Sequence, residues 1–224
     1  MSAGRARAVT LLGIAGTAIA GLTWSTVGLG LPALVVGGLN GVIGGARRTY
    51  SRDRLGAAAF VLDSSWALAT TTAALGVHLI DTVGGAGYVA ESSRRRNRHV
   101  YRGGFTPRRG YAVTVGNVIS AAGDTSTESR RRLVDEHEET HVWQTRILGP
   151  FFAPLYLGWS VLGAAAAVPR WLATARPRPR FTAVVDSLAY RRNPLERWAE
   201  RRPVGFGTSG LGIDRAEAVS PPAR

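Results

Sequence analysis

The chain has 224 residues, which is enough for one domain with a hydrophobic core and marginal for two. It contains no cysteine, so disulfides and thiolate metal sites are excluded and any metal must be held by His, Asp or Glu. The formal net charge is +13, but the arginines lie in short scattered clusters without a recognisable DNA- or RNA-binding module, and we expect no nucleic-acid partner.

The first long feature is an apolar stretch over residues 8–45 that contains no charged residue. It is about twice as long as one membrane-spanning helix requires. Glycines and Pro32 interrupt it, which predicts two helices near 8–26 and 31–46. Arginines flank both ends, so a hairpin would place them on one membrane face, and the positive-inside rule favours the cytoplasmic face. We therefore expect residues 1–54 to be a helical-hairpin membrane anchor.

Three glycines recur at intervals of four residues in the second predicted helix, at Gly37, Gly41 and Gly45. A row of small residues on one helix face allows close helix–helix packing in lipid. The alternative is that these positions only reflect a glycine-rich chain, which has 28 glycines.

The same apolar stretch has a second interpretation, as a secretory signal. Arg5 and Arg7 precede an apolar run, and Ala18-Ile19-Ala20 resembles a cleavage site after Ala20. The apolar run continues past that point, which favours an uncleaved anchor.

Residues 55–80 are apolar but interrupted by Asp63 and two serines, which is compatible with a third membrane helix or with a helix in a soluble core. Residues 99–119 are rich in β-branched and aromatic residues on either side of the turn sequence TPRRG, and they predict a β-hairpin. Residues 203–224 are rich in Gly, Ser, Pro and Ala and are expected to form a disordered tail. The domain between anchor and tail spans residues 55–202.

The stretch DEHEETHVWQTRILGP, residues 135–150, carries two of the four histidines of the chain. A capping box of Thr125 and Glu128 predicts the start of a helix, and Gly149 followed by proline predicts its end. His137 and His141 are four residues apart, so they are neighbours on one helix face.

This spacing suits a metal site. Two imidazoles one turn apart can both reach one zinc ion at about 2.0–2.1 Å. Glu138, next to the first histidine, can reach a zinc-activated water and take its proton. The HExxH pattern also occurs by chance in charged helices, so a third ligand is needed to support the hypothesis.

A candidate third ligand lies downstream in the stretch YRRNPLERWAERR. Asn193 suits a helix N-cap and Pro194 the first turn, so Glu196 and Glu200 would lie on one face of the helix. A first carboxylate could bind a metal, and a second could accept the free N–H of a histidine ligand. The alternative is a solvated helix in which both glutamates pair with neighbouring arginines.

HEETH followed some 55 residues later by a helix with ExxxE resembles the gluzincin type of zinc metallopeptidase. HEETHVWQTRILGP with NPLERWAE is more closely similar to small bacterial membrane proteins that share HExxHxxQ, then Gly-Pro, then NPxExxA. The match covers roughly residues 115–200.

The resemblance implies a mainly α (α+β) fold with a zincin-like metal site. It also implies zinc ligands His137, His141 and Glu196, with Glu138 as the base and Glu200 supporting a histidine. Position 200 is Glu where gluzincins usually have Asp.

Residues 149–167 are apolar and long enough for a membrane helix, yet they separate His141 from Glu196. One metal cannot bind ligands on opposite sides of a bilayer. If both residues bind it, this segment must be re-entrant, lie in the membrane plane, or be a core helix.

These observations favour a zinc peptidase in a bacterial cell membrane that hydrolyses peptide or protein substrates. Tyr190 and His99 are candidates to stabilise the oxyanion. The alternatives are a non-catalytic membrane scaffold that retains the fold, and an arginine-rich membrane-surface protein without a metal.

Overall fold

The computed structural model describes residues 2–201, so the tail expected over 203–224 lies outside the described part of the chain. The described part is mainly helical with one small sheet, which confirms the expected class. The helices are α1 (Ala3–Ser25), α2 (Gly30–Arg47), α3 (Arg54–Asp63), α4 (Leu68–Val83), α5 (Ala90–Arg95), α6 (Glu128–Arg132), α7 (Glu139–Leu148), α8 (Phe152–Leu172), α9 (Phe181–Val185) and α10 (Pro194–Glu200). The strands are β1 (His99–Val100), β2 (Val113–Val115) and β3 (Val118–Ser120).

The N-terminal apolar stretch forms two antiparallel helices, α1 and α2, as predicted. The glycine row of α2 packs directly on the backbone of α1. A Cβ atom added to Gly37 would lie 2.2 Å from the carbonyl oxygen of Gly16, and one added to Gly41 would lie 2.0 Å from that of Leu12. No side chain fits in these gaps, so the row of glycines sets the distance between the two helices.

We expect Gly41→Ala to destabilise the protein, because its new methyl group would meet α1 backbone that cannot move independently of the helix. Overpacking of this kind costs about 1–3 kcal/mol. Gly76→Ala in α4 is the matched control, since an added Cβ there meets nothing within 4 Å. That change should stabilise the protein by about 0.5–1 kcal/mol. Thermal unfolding in detergent should show melting temperatures that move in opposite directions, and a downward shift of equal size in both would contradict the packing argument.

Two helical stretches are long and apolar enough to cross a membrane. They are α1 and the continuous helical stretch Glu128–Leu172, whose apolar part is α8. Within α8 only Ala167 is buried, and the large side chains of Val161 and Leu162 are 68% and 70% exposed. After α8 the chain reverses, and α9 with the π-helical segment Asp186–Arg191 packs back along it.

The region 55–80 is two helices, α3 and α4, broken at residues 64–67. Helix α4 packs on the sheet, where Ala74 and Val77 contact Val118, so it is a core helix and not a third apolar span. The last residue of α3 is Asp63, whose carboxylate is buried and bound by Arg146 from α7.

The prediction of a β-hairpin over 99–119 with its turn at TPRRG is wrong, because the strands on either side of that turn do not pair with each other as a hairpin. The sheet has the order β1-β3-β2, with β2 and β3 antiparallel and β1 parallel to β3. The hairpin turn lies inside YAVTVGNVI, where Gly116 adopts a left-handed conformation with φ of 55°. Backbone of this kind favours glycine and lets the chain reverse within two residues.

A buried polar network joins the N-terminal hairpin to the motif helix. The guanidinium of Arg146 binds both carboxylate oxygens of Asp63, at 2.9 and 2.8 Å, and Tyr50 donates to the same carboxylate at 2.9 Å. Asn117 in the β-turn donates to Asp63 and to Asn40 of α2, both at 3.2 Å. Since buried polar groups require partners, this network fixes α2, α3, the sheet and α7 relative to one another.

Candidate metal centre

The motif helix begins later than predicted and is not uniform. It starts at Glu128 with Thr127 as an N-cap that makes no side-chain cap bond, so the capping box at Thr125 is wrong. Glu128 pairs instead with Arg131 and Arg132 one turn on. Residues Leu133–Glu138 form a π-helical segment between α6 and α7. Such wider turns occur often at functional sites, and here the turn carries the first histidine and the following glutamate.

The structure brings His137, His141 and Glu196 together, with one possible ligand atom from each within 4.8 Å of the others. The Nε2 atoms of the two histidines are 3.2 Å apart. Nε2 of His137 lies 3.5 Å from Oε2 of Glu196, and Nε2 of His141 lies 3.5 Å from Oε1 of the same carboxylate. Zinc bonds of about 2.0–2.1 Å at tetrahedral angles would separate two ligand atoms by about 3.3 Å. The observed separations are close to that value, so the two imidazoles and the carboxylate are near enough to share one zinc ion.

The carboxylate of Glu196 has an unusual environment. Its side chain is 3% exposed, and its Oε2 atom is buried without a hydrogen-bond donor among the described residues. Its other oxygen, Oε1, accepts a hydrogen bond of 2.5 Å from Tyr156. A buried carboxylate oxygen without a donor is costly unless a cation compensates it. The orphaned atom lies beside the two imidazoles, so this donor set fits a divalent cation.

The charges in the site are complementary. Burial alone disfavours a protonated His141, yet the hydrogen bond and negative charge of Glu196 raise the pKa of His141 above its ordinary value. Burial likewise disfavours an ionised Glu196, but the hydrogen bond and charge of His141 lower the pKa of Glu196. The carboxylate of Glu196 thus favours a positive charge at His141, and a bound cation can supply that charge in place of a proton.

Glu138 faces the same pocket without joining the three ligands. Its side chain is buried, and its Oε2 atom accepts a hydrogen bond of 2.6 Å from the hydroxyl of Thr114 in β2. One carboxylate oxygen is thereby fixed to the sheet, while the residue lines the cavity beside His137 and His141. This placement suits a base that accepts a proton from a water in the pocket.

Gln144 has the supporting role that the sequence assigned to Glu200. Its Oε1 atom lies 2.9 Å from Nδ1 of His141, and its Nε2 atom donates to the carbonyl of Leu195 at 2.8 Å. Because an amide oxygen only accepts, Nδ1 of His141 must carry the proton, which leaves Nε2 free to bind a metal. Glu200 lies at the exposed end of α10 and acts on His137 through its charge alone.

The other acidic residues near the motif are held by a buried arginine. Arg98, which is 0% exposed, pairs with Asp135 at 2.6 Å and with Glu139. These two carboxylates flank His137 and Glu138 in sequence, and their pairing with Arg98 turns them away from the pocket. Much of the charge on the helix is therefore structural, while the ligands form a separate group.

The pocket above these residues has a volume of about 400 Å³. Ala112 and the first two residues of β2, Val113 and Thr114, form one wall, and Phe152 and Tyr156 of α8 form another. Tyr190 lines it from the π-helical segment, and burial together with the charge of Glu196 raises the pKa of Tyr190, so it retains its proton. Its phenol is therefore a protonated hydrogen-bond donor in the pocket wall.

His99 is wrong as a second oxyanion candidate, because it does not line this pocket. It is buried in a separate aromatic group, where Tyr88 lies 3.1 Å from Nδ1 and the ring of His78 is 4.9 Å away. Burial lowers the pKa of both histidines, to about 4 for His78, so they are neutral packing residues.

No protein-family model, curated protein or solved structure matches this chain.

Sequence reasoning missed three residues of the site, Thr114, Tyr156 and the role of Gln144. Gln144 lies three residues after His141, and this i,i+3 spacing was a signal for a contact on the helix. Thr114 and Tyr156 come from other elements and had no local signal.

We expect Gln144→Leu to weaken zinc affinity by about 10–100-fold, because loss of the group that orients a histidine ligand has effects of this size. Glu200→Gln should change the affinity much less, since its carboxylate makes no hydrogen bond to either histidine in the described structure. Competition with a chromophoric zinc chelator measures both affinities. A larger loss in Glu200→Gln than in Gln144→Leu would restore the sequence-based assignment.

Proposed function

We propose that the protein is a membrane-anchored zinc peptidase with a zincin-like site. The observation that carries this proposal is the triangle of His137, His141 and Glu196, with a buried carboxylate oxygen that has no donor within residues 2–201. A zinc ion held there would supply Lewis acidity that polarises a water molecule and a peptide carbonyl.

The residues of the chain then have distinct tasks. Glu138 takes the proton of the attacking water and returns it to the leaving amine, while Thr114 keeps its carboxylate in place. Gln144 holds His141 in the tautomer that binds a metal. The phenol of Tyr190 donates to the developing oxyanion.

An extended peptide is the substrate class that the pocket favours. Strand β2 pairs with β3 on one side only within the described sheet, and residues 112–114 at its other edge line the pocket. Backbone groups at such an edge can pair with an added strand, which would lay a peptide across the site.

Membrane attachment is supported by two features. The α1–α2 hairpin has no charged residue over residues 8–45, and α8 exposes a nearly continuous apolar surface. The chain reverses after α8, so Glu196 returns to the side on which His141 lies. A re-entrant α8 reconciles an apolar helix between the ligands with a single metal site.

Elemental analysis of detergent-purified protein, combined with digestion of a peptide library followed by mass spectrometry, tests the proposal. We expect about one zinc per chain and cleavage that stops on chelation and returns on adding zinc. Absence of zinc would refute the metal site. Zinc without any cleavage would refute the peptidase and favour the scaffold alternative.

A further inference from the structure

A second concave surface is formed by residues 4–61, which are distant in sequence from the three candidate zinc ligands, and it lies between the N-terminal hairpin and α3. It is a groove of about 1030 Å³. Its apolar walls come from α1 and α3. They include Leu11, Ala15 and Ile19 on α1, and Ala57, Phe60 and Val61 on α3. Leu11 and Val61 are 56% and 45% exposed, so the groove is open to its surroundings.

One end of the groove is strongly basic. Arg7 from α1 and Arg48 and Arg52 from the α2–α3 connection line it. They meet because α1 and α2 are antiparallel, so the end of α2 lies beside the first turns of α1. Arg48 ends α2 in a left-handed conformation, with φ of 54°.

These three arginines are exposed and form no ion pair with any carboxylate in residues 2–201. One acidic residue, Asp53, also lines the groove. Its Oδ1 atom already caps α3 by accepting from the amide of Gly56 and the hydroxyl of Ser51, each at 2.7 Å. The basic end therefore retains an excess of positive charge that an anion can neutralise.

The dimensions of the groove match one lipid chain. From Arg7 to Ile19 the groove follows twelve residues of α1, or about 18 Å at the helical rise of 1.5 Å per residue. Half of a hydrocarbon core of about 30 Å is about 15 Å. A charged end and an apolar wall of this length correspond to the headgroup and acyl chain of a lipid in one leaflet.

We infer that this groove binds one anionic phospholipid, with its phosphate at Arg7, Arg48 and Arg52 and an acyl chain between α1 and α3. Guanidinium groups bind phosphate through paired N–H donors, which favours an anionic headgroup over a zwitterionic one. The inference is independent of the zinc site, because its residues share none with the peptidase pocket.

Equilibrium binding to the full-length chain in neutral detergent tests the inference. The probes are phosphatidylglycerol and phosphatidylcholine with the same acyl chains, followed by native mass spectrometry. We expect phosphatidylglycerol to bind at least about tenfold more tightly, since each arginine near an anionic surface contributes substantially to binding. Equal binding of the two lipids would overturn the inference.

Variants separate the groove from general surface charge. Arg48→Ala with Arg52→Ala should remove the preference for phosphatidylglycerol, whereas Arg94→Ala with Arg176→Ala, two exposed arginines outside the groove, should retain it. Ala57→Trp fills the apolar wall and should weaken binding without changing the charge. Retained preference in the first pair, lost preference in the second pair, or unchanged binding in Ala57→Trp would each refute the site.

Free phosphate compounds distinguish a lipid site from a simple anion site. Glycerol 3-phosphate should not displace phosphatidylglycerol at equal concentration, because it lacks the acyl chain. Displacement would show that the arginines bind a soluble phosphate and would overturn the assignment to lipid. Thermal unfolding of each variant confirms that the fold is retained.

Discussion

Glu138→Gln should reduce peptidase activity by at least about a hundredfold, the usual scale for losing a general base. The amide keeps the size of the side chain, and its oxygen can still accept the hydrogen bond from Thr114. It cannot accept a proton from water at neutral pH. We therefore expect the variant to fold and bind zinc like the parent, and the loss to fall on kcat. Library peptides that the parent cleaves provide the substrates.

The matched control is Glu136→Gln, which makes the same chemical change two positions earlier. Glu136 is exposed and does not line the pocket. Its variant should retain parental activity and zinc content. Full activity in Glu138→Gln would refute the proposed base. A loss of zinc in that variant would instead make Glu138 part of the ligand set.

His141→Ala should abolish stoichiometric zinc binding. The three ligands converge from two helices, and a site reduced to His137 and Glu196 lacks the minimum of three protein ligands found in catalytic zinc sites. Glu196→Gln should have a similar effect with less change in packing, since a neutral amide replaces the carboxylate. Zinc content per chain after gel filtration in detergent measures both effects.

His78→Ala is the control for general damage to the fold. This histidine is buried, and its Nδ1 atom lies at hydrogen-bond distance, 2.9 Å, from the hydroxyl of Tyr101. It lies outside the group of metal ligands. Its loss should lower thermal stability and leave zinc binding intact. Parental zinc content in His141→Ala would disprove the site, and zinc loss in His78→Ala would make zinc content a measure of folding alone.

The local sequence pattern was sufficient to predict those helices whose ends are set by interactions between residues close together in the chain. The absence of charge over 8–45 with a break near Pro32 predicted α1 and α2 to within a few residues at most ends. Asn193 and Pro194 predicted the start of α10, where Asn193 accepts from the amide of Leu195. In each case, the decisive interactions lie within a few residues of one another along the chain.

Sequence alone gave the wrong position for the hairpin turn, which depends on contacts between residues far apart in the chain. The sequence analysis placed the turn at TPRRG, whereas the packing of β3 between β1 and β2 puts the turn at Gly116. The buried pairing of Asp63 with Arg146, which is 83 residues further along the chain, likewise had no local signal.

The sequence by itself determined that His137, Glu138 and His141 lie close together, because their spacing along one helix brings them together whatever the remainder of the fold does. It offered Glu196 as a candidate ligand but left a solvated helix as the alternative, since residues 55 positions apart meet only when α8 leaves the site and the chain returns. Tertiary structure alone decided that Thr114 positions Glu138, that Gln144 and not Glu200 orients His141, and that His99 is remote. Such contacts join separate elements, and their distances depend on how the whole chain packs.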